Sequence, residues 1–181
     1  MAKVKFGLSN VHIAARSESE QGVVSYATPV ALKGAVGLTL TRSNEKATFR
    51  ADNVDYFTKY ISSSREGTFE VADIPDWFKT AYLGYKQDID NYLVETNADG
   101  SAFALLFQVE TDTTSKKYCI YNCKAAQTDE EHKTTEQNDL GVQTSSLNLS
   151  MEGEQIGDFV CYAKEVANFT TVALPQFPAS N

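Results

Sequence analysis

Two histidines and three cysteines are the residues of this 181-residue chain whose types most readily do chemistry. His12 falls in Val11-His12-Ile13, an alternating apolar stretch, and is expected as a satisfied sheet histidine. His132 stands in Glu130-Glu131-His132-Lys133, a charge run that reads as solvated loop. No H-x-x-x-H or C-x-x-C spacing occurs, and a tetrahedral metal site needs ligands at such intervals. No G-x-S-x-G elbow is present to expose a serine nucleophile. Gly34-Ala35-Val36-Gly37 lacks the Gly-Lys-Ser/Thr of a phosphate-binding loop and leads into a strand pattern, so its glycines read as easing strand entry. Nine tyrosines and Trp77 offer material for a sugar-binding platform, but most occupy inward or hairpin positions, which assigns them to packing. The expectation is no catalytic residue, no cofactor and no metal. A binding, structural or assembly protein remains.

Three cysteines cannot all pair. Cys119 and Cys123 are four apart, which in an uninterrupted strand puts both on one face about 13 Å apart, too far to bridge. Reduced core cysteines are expected. No apolar h-region follows Met1, which argues against secretion and empties the sequons at Asn148 and Asn168 of meaning. The longest apolar run, residues 102–107, is far too short to cross a bilayer.

The elements that must carry these residues are mostly strands. Val4, Phe6 and Leu8 alternate, and Val11, Ile13 and Ala15 continue on the opposite parity, so a bulge is expected near Ser9-Asn10. Residues 16–22 read as a polar loop, and residues 24–32 as an extended piece that Pro29 consigns to an edge. Val36, Leu38 and Leu40, a turn at residues 43–46, and Ala47, Phe49 and Ala51 read as a hairpin. Residues 52–67 show neither period, yet hold Tyr56, Phe57 and Tyr60. Phe69 and Val71 begin another strand.

One helix is expected from Pro75 to about Tyr82, capped by Asp73 and stopped by Gly84. Its Phe78, Tyr82 and Tyr85 share a face. Residues 103–109 and 118–125 form the clearest hairpin, followed by a polar, acidic loop at 127–141. Leu147, Leu149 and Met151 make a strand, and a loop at 152–158 leads to a return strand through Phe159, Cys161 and Ala163. A short strand at 172–174 precedes a C-terminal tail at 175–181. The fold class this implies is mainly β, a β-sandwich or partial barrel of about eight to ten strands with one flanking helix, in a single domain over 1–181.

Composition agrees. Val, Ile, Thr, Phe, Tyr and Trp supply 57 residues, the types that suit a half-buried pleated surface. Residues 1–90 carry 11 basic and 11 acidic side chains, whereas residues 91–181 carry 5 and 13, so the net charge of −8 lies in the second half. Such a chain has no footprint for gripping phosphates.

Six short pieces, in order, resemble the major tail proteins (tail tube proteins) of long-tailed, non-contractile bacteriophages. They are Phe6-Gly7-Leu8-Ser9-Asn10-Val11-His12, Gly34-Ala35-Val36-Gly37-Leu38-Thr39-Leu40, Phe49-Arg50-Ala51-Asp52-Asn53, Asp73-Ile74-Pro75 leading to Leu83-Gly84-Tyr85, Phe103-Ala104-Leu105-Leu106-Phe107, and Tyr118-Cys119-Ile120-Tyr121-Asn122. The resemblance covers about residues 4 to 125 and thins beyond Ala125. It implies a structural virion protein, made in the host cytoplasm, that forms hexameric rings stacked into a tube. That tube surrounds a tape-measure protein, meets a tail terminator and baseplate or distal tail proteins at its ends, and conducts DNA without binding it.

From these readings follow three expectations. Strands poor in Lys after residue 90 leave sheet edges free to join neighbouring subunits. The aromatic residues 52–67, with Tyr56, Phe57 and Tyr60 foremost, form a contact arm between rings. Surplus carboxylates line an acidic or neutral lumen, the candidates being Glu95, Asp99, Glu110, Asp112, Glu152, Glu154 and Asp158. The competing reading is a monomeric carbohydrate-binding or adhesin-like β-sandwich with aromatics displayed on one sheet face.

Overall fold

Alternating apolar residues set the architecture of the computed structural model, which describes residues 5–111, 114–128 and 143–178. In chain order the elements are β1 (Lys5–Glu18), β2 (Val24–Tyr26), β3 (Val30–Ala31), β4 (Ala35–Ala51), β5 (Val54–Val71), α1 (Asp76–Tyr82), β6 (Lys86–Gln87), β7 (Leu93–Val94), β8 (Phe103–Thr111), β9 (Lys116–Gln127), β10 (Ser145–Met151), β11 (Glu154–Ile156), β12 (Phe159–Cys161) and β13 (Ala163–Val166). Nine strands form one antiparallel sheet in the order β2-β1-β8-β9-β10-β5-β4, with β3 also on β1 and β13 also on β9. The two small ribbons β6–β7 and β11–β12 stand outside it. β1 and β4, far apart in that order, touch. The sheet therefore curls around a core, giving the mainly β fold with one helix that the alternation implied.

The core inside the curl is apolar and aromatic. Val11 and Ile13 of β1, Phe69 and Val71 of β5, Phe103 and Leu105 of β8, and Leu147 and Leu149 of β10 are all buried there. Helix α1 lays Phe78 and Tyr82 onto it, their ring centroids 5.6 and 4.9 Å from that of Phe103. Burying a side chain such as Phe78 contributes about 2–3 kcal/mol. A second, smaller cluster occupies the other face of the same strands: Ala14, Ala104, Leu106, Cys119 and Tyr121, covered by Phe169, Val172 and Leu174. The Tyr121 hydroxyl donates to the Ala173 carbonyl at 2.8 Å. Residues 172–174 thus form no strand; they follow the sheet as an apolar strap.

Local chemistry explains where the pattern misled. The β1 bulge is present: the register against β8 shifts between Ser9 and His12, and Asn10 has φ 56°. No turn forms at residues 43–46. β4 runs straight through them with a bulge between Ser43 and Asn44, and the reversal comes at Asp52 (φ 50°) and Asn53 (φ 62°). Asp and Asn tolerate the left-handed conformation that both central positions of a type I′ turn demand. Arg16, Ser17 and Glu18 pair with Tyr26, Ser25 and Val24, so the polar loop shrinks to the turn that follows. Pro75, not Asp73, holds the N-cap position, with no side-chain cap bond; its carbonyl accepts from Phe78 and Lys79. Asp73 stands too early in the chain to reach the first turn. The expected loop at 152–158 contains β11, and the expected return strand splits into β12, paired with β11, and β13, paired with β9.

The two cysteines of β9 do not share a face. Leu105 pairs with Ile120 and Phe103 with Cys123, which leaves one extra residue on β9, and Asn122 takes φ 49° to accommodate it. That bulge sends Cys119 into the outer cluster and Cys123 into the inner core. All three cysteines are free and buried.

Candidate functional site

The β4–β5 hairpin is the largest feature that the core does not explain. β10 pairs with β5 only from Glu66 to Val71. Beyond that, residues 42–65 pair as strands only with each other. They form a two-stranded arm leaving the sheet, with Phe49 directly opposite Phe57. Phe49, Val54, Tyr56 and Phe57 are 62, 60, 76 and 58% exposed. Isolated exposed apolar residues are ordinary, but four on one turn of ribbon leave an uncovered apolar surface. The Arg50–Asp55 ion pair at 2.8 Å spans the tip, with both partners largely in solvent. Tyr60 lies in β5 opposite Lys46. From Val54 onward the aperiodic segment at 52–67 is strand, and residues 52–59 at its tip are exposed, so no core imposes a period there.

The sheet ends are open. β4 is hydrogen-bonded to β5 alone, and β2 and β3 to β1 alone. Val36 and Leu40 stand exposed on β4. A row of unpaired backbone groups flanked by apolar side chains is a template for another strand.

The carboxylates proposed for a lumen do not gather. Glu95, Asp99, Glu110, Glu152 and Asp158 are exposed, and Asp112 lies outside the described residues, as does most of the acidic loop with His132. Glu110 stands near the β8–β9 turn, where Val109 faces Lys116, whereas Glu152 follows Met151, which faces Cys123. Lys124 lies 3.6 Å from Glu152. Among the described residues, no three His, Cys, Asp or Glu side chains are grouped to hold a metal.

Glu154 corrects the expectation outright. It is 4% exposed. Arg16 Nε donates to its Oε1 at 2.5 Å and the Tyr26 hydroxyl to the same oxygen at 2.6 Å, while a second guanidinium nitrogen reaches Oε2 at 3.2 Å. The backbone N–H of Asn122 completes the network by donating to the Tyr26 oxygen at 3.1 Å. A carboxylate so enclosed cannot face a channel; it ties β11 to β1 and β2. The bond to Glu154 raises the Arg16 pKa, and burial followed by the same carboxylate raises that of Tyr26. Burial also pushes the Cys119 thiol up to about 12 and raises Cys123 and Tyr121. These groups are held neutral or paired, the opposite of a reactive site.

His12 sits in β1 with Nδ1 3.0 Å from the Asn10 carbonyl and its ring 5.1 Å from Phe169, a sheet histidine under the strap. Among the described residues no helix is long and apolar enough to cross a membrane. No protein-family model matches the chain, and no curated protein matches it in sequence.

Proposed function

We propose that this chain is the subunit of a tail tube: copies close into hexameric rings through their sheet edges, and rings stack through the arm to make a conduit for DNA. The arm is the observation that carries this reading. The two-stranded ribbon of residues 42–65 displays Phe49, Val54, Tyr56 and Phe57 to solvent, an apolar surface suited to contact with another copy. The open edge of β4 supports it further, since a ring closes such edges between subunits. The motif pieces that resemble tail tube proteins fall on the elements such a subunit would use. One enters β4, one forms the tip of the arm, and two are the central strands β8 and β9. Tape-measure, terminator and baseplate proteins are the partners this reading brings with it.

Negative-stain electron microscopy of the concentrated chain, alone and seeded with tail-tip complexes, tests the proposal. Rings or tubes of uniform width are expected. A chain that stays monomeric under both conditions overturns it.

A further inference from the structure

At the base of the arm, Arg42 of β4 stands directly opposite Arg65 of β5. Like charges so placed across an antiparallel pair oppose the pairing. The Arg65 guanidinium lies 4.0 Å over the Tyr162 ring, a contact that holds it flat without neutralising it. Its Nε is covered and has no hydrogen-bond partner. Arg42, Arg65, Tyr162, Lys164 and Phe177 line one open cleft of about 530 Å³. Phe177 is 52% exposed and packs on Phe159, itself 59% exposed, with ring centroids 5.2 Å apart. Among the described residues none of the three cations forms an ion pair. The cleft thus offers positive charge beside uncovered apolar rings, and no described carboxylate answers the charge.

The complementary surface is the ribbon β6–β7. Residues 86–99 carry Asp88, Asp90, Glu95 and Asp99 against Lys86, a net charge of −3, and all five side chains are exposed. None of these carboxylates forms an ion pair among the described residues. The turn between the two strands is set in advance. Asp88 Oδ1 accepts from the backbone N–H groups of Asp90 and Tyr92 at 2.9 Å each. The Asp88 N–H donates to the Tyr92 carbonyl at 3.0 Å, and Asn91 takes φ 66°. On this ordered turn Ile89 is 97% exposed and Tyr92 72%. A turn already in place loses little conformational freedom when it docks. Ribbon and cleft are both placed in the one chain, and no ion pair joins them there.

We infer that the cleft receives the β6–β7 ribbon of a second copy of this chain. The ribbon's carboxylates then face Arg42, Arg65 and Lys164, while Ile89 and Tyr92 meet the rings of Phe159 and Phe177. A carboxylate between Arg42 and Arg65 relieves their like-charge opposition, and a guanidinium held flat suits a carboxylate. Ribbon and cleft are different surfaces, so the contact is heterologous: repeated, it closes a ring or runs on as a filament. Nucleic acid is the poorer occupant, because three cations on a chain of net charge −8 make a small phosphate footprint. The inference rests on the self-assembly reading above and supplies that reading with a specific contact.

Charge exchange tests it in the full chain. Arg42→Glu with Lys164→Glu makes a cleft variant, and Asp90→Lys with Glu95→Lys a ribbon variant. All four positions are exposed, so the urea midpoints should stay near that of wild type. Each variant should weaken self-association at least about tenfold in sedimentation velocity. A chain carrying both exchanges, and an equimolar mixture of the two variants, should recover it. Wild-type association by either variant overturns the inference, and so does failure of both recoveries. Oligonucleotide binding that the cleft variant loses while its self-association stays at the wild-type level assigns the cleft to nucleic acid and also overturns it.

A second measurement does not depend on charge. Asp90→Cys chains mixed with Lys164→Cys chains should, on air oxidation, give a disulfide-linked dimer that neither gives alone, the native cysteines being buried. A mixture that cross-links no better than the separate variants overturns the contact. Tubes formed unchanged by both charge variants remove the contact and leave the tube reading standing. The mixed disulfide dimer from chains that never build tubes keeps the contact and removes the tube reading.

Discussion

At the scale of single residues, Glu154 is where removal of a few atoms has the clearest consequence. Glu154→Gln leaves Arg16, whose side chain is 17% exposed, without its principal counter-charge. Loss of one partner of a buried pair costs about 3 kcal/mol, here tempered by the remaining Glu18 contact. The urea midpoint should fall accordingly, and Tyr26→Phe should lower it by a smaller amount, about 1 kcal/mol. Alkaline pH acts through the thiols and phenols whose folded pKa is raised: Tyr26, Tyr82, Tyr121, Cys119 and Cys123. Unfolded thiols and phenols ionise near their ordinary values of 9.0 and 10.0, while the folded groups keep their protons. The unfolded state therefore binds fewer protons above pH 9, and stability falls as pH rises. Urea midpoints should match between neutral pH and about pH 8 and then decline through the range where free thiols and phenols titrate. A thiol reagent should stay silent on the native chain and count three cysteines after unfolding. None of this network was legible in the sequence. Arg16 and Glu154 are 138 positions apart, and nothing in the local pattern of either distinguishes a buried carboxylate from a surface one.

Among the elements, those that border the core were legible and those that do not were misread. β10 alternates because one face meets the inner core, β8 and β9 are apolar on both faces because the outer cluster covers the other side, and Phe78 and Tyr82 repeat at helical spacing because they too meet the inner core. Parity arguments failed at the β9 bulge, where one residue with positive φ reversed the side of everything after it. The β5 half of the arm was legible only as aromatic content without a period, since its exposed tip residues have no core to keep a pattern. Phe49→Ser with Tyr56→Ser should therefore leave the urea midpoint within about 0.5 kcal/mol of wild type, as surface changes do. The same variant should lose self-association, at about 2 kcal/mol per lost hot-spot contact. Tubes from this variant in electron micrographs would count against the arm. Gly84 belongs to the opposite class. It follows the C-cap of α1 at φ +75°, and a Cβ there would collide with the Ala98 carbonyl oxygen. Gly84→Ala should cost more than about 3 kcal/mol, because strain and overpacking add, and should show as a lowered melting temperature.

For the whole molecule, the proposed conduit would constrain where charge can lie. DNA in a channel lies within a few Debye lengths of the wall, about 8–10 Å each at ordinary ionic strength. A basic wall would form many weak ion pairs with phosphates, and each release would slow transit. Glu95, Asp99, Glu110, Glu152 and Asp158 remain exposed candidates for the wall once Glu154 is withdrawn, and Glu165 is a further exposed carboxylate of the described second half. The bore of an assembled tube should carry negative or neutral potential. A continuous positive lining in a tube structure would replace passive conduction with DNA contact. The fold class was readable at this scale because a mainly β composition and one amphipathic segment leave few architectures. The curl that brings β1 to β4 was not, since it depends on bulges that accumulate along several strands.

The ribbon paired only with itself has a consequence in time as well as in shape. Two strands without a third neighbour or a packed face are marginal in water. Amides around residues 49–57 of a lone subunit should therefore open locally and exchange with deuterium in seconds. Those of β8 and β9 should wait for global unfolding. When another surface covers the arm, the same amides acquire the slow clock of their new neighbours. Exchange at this one turn then records the moment at which a subunit stops being alone.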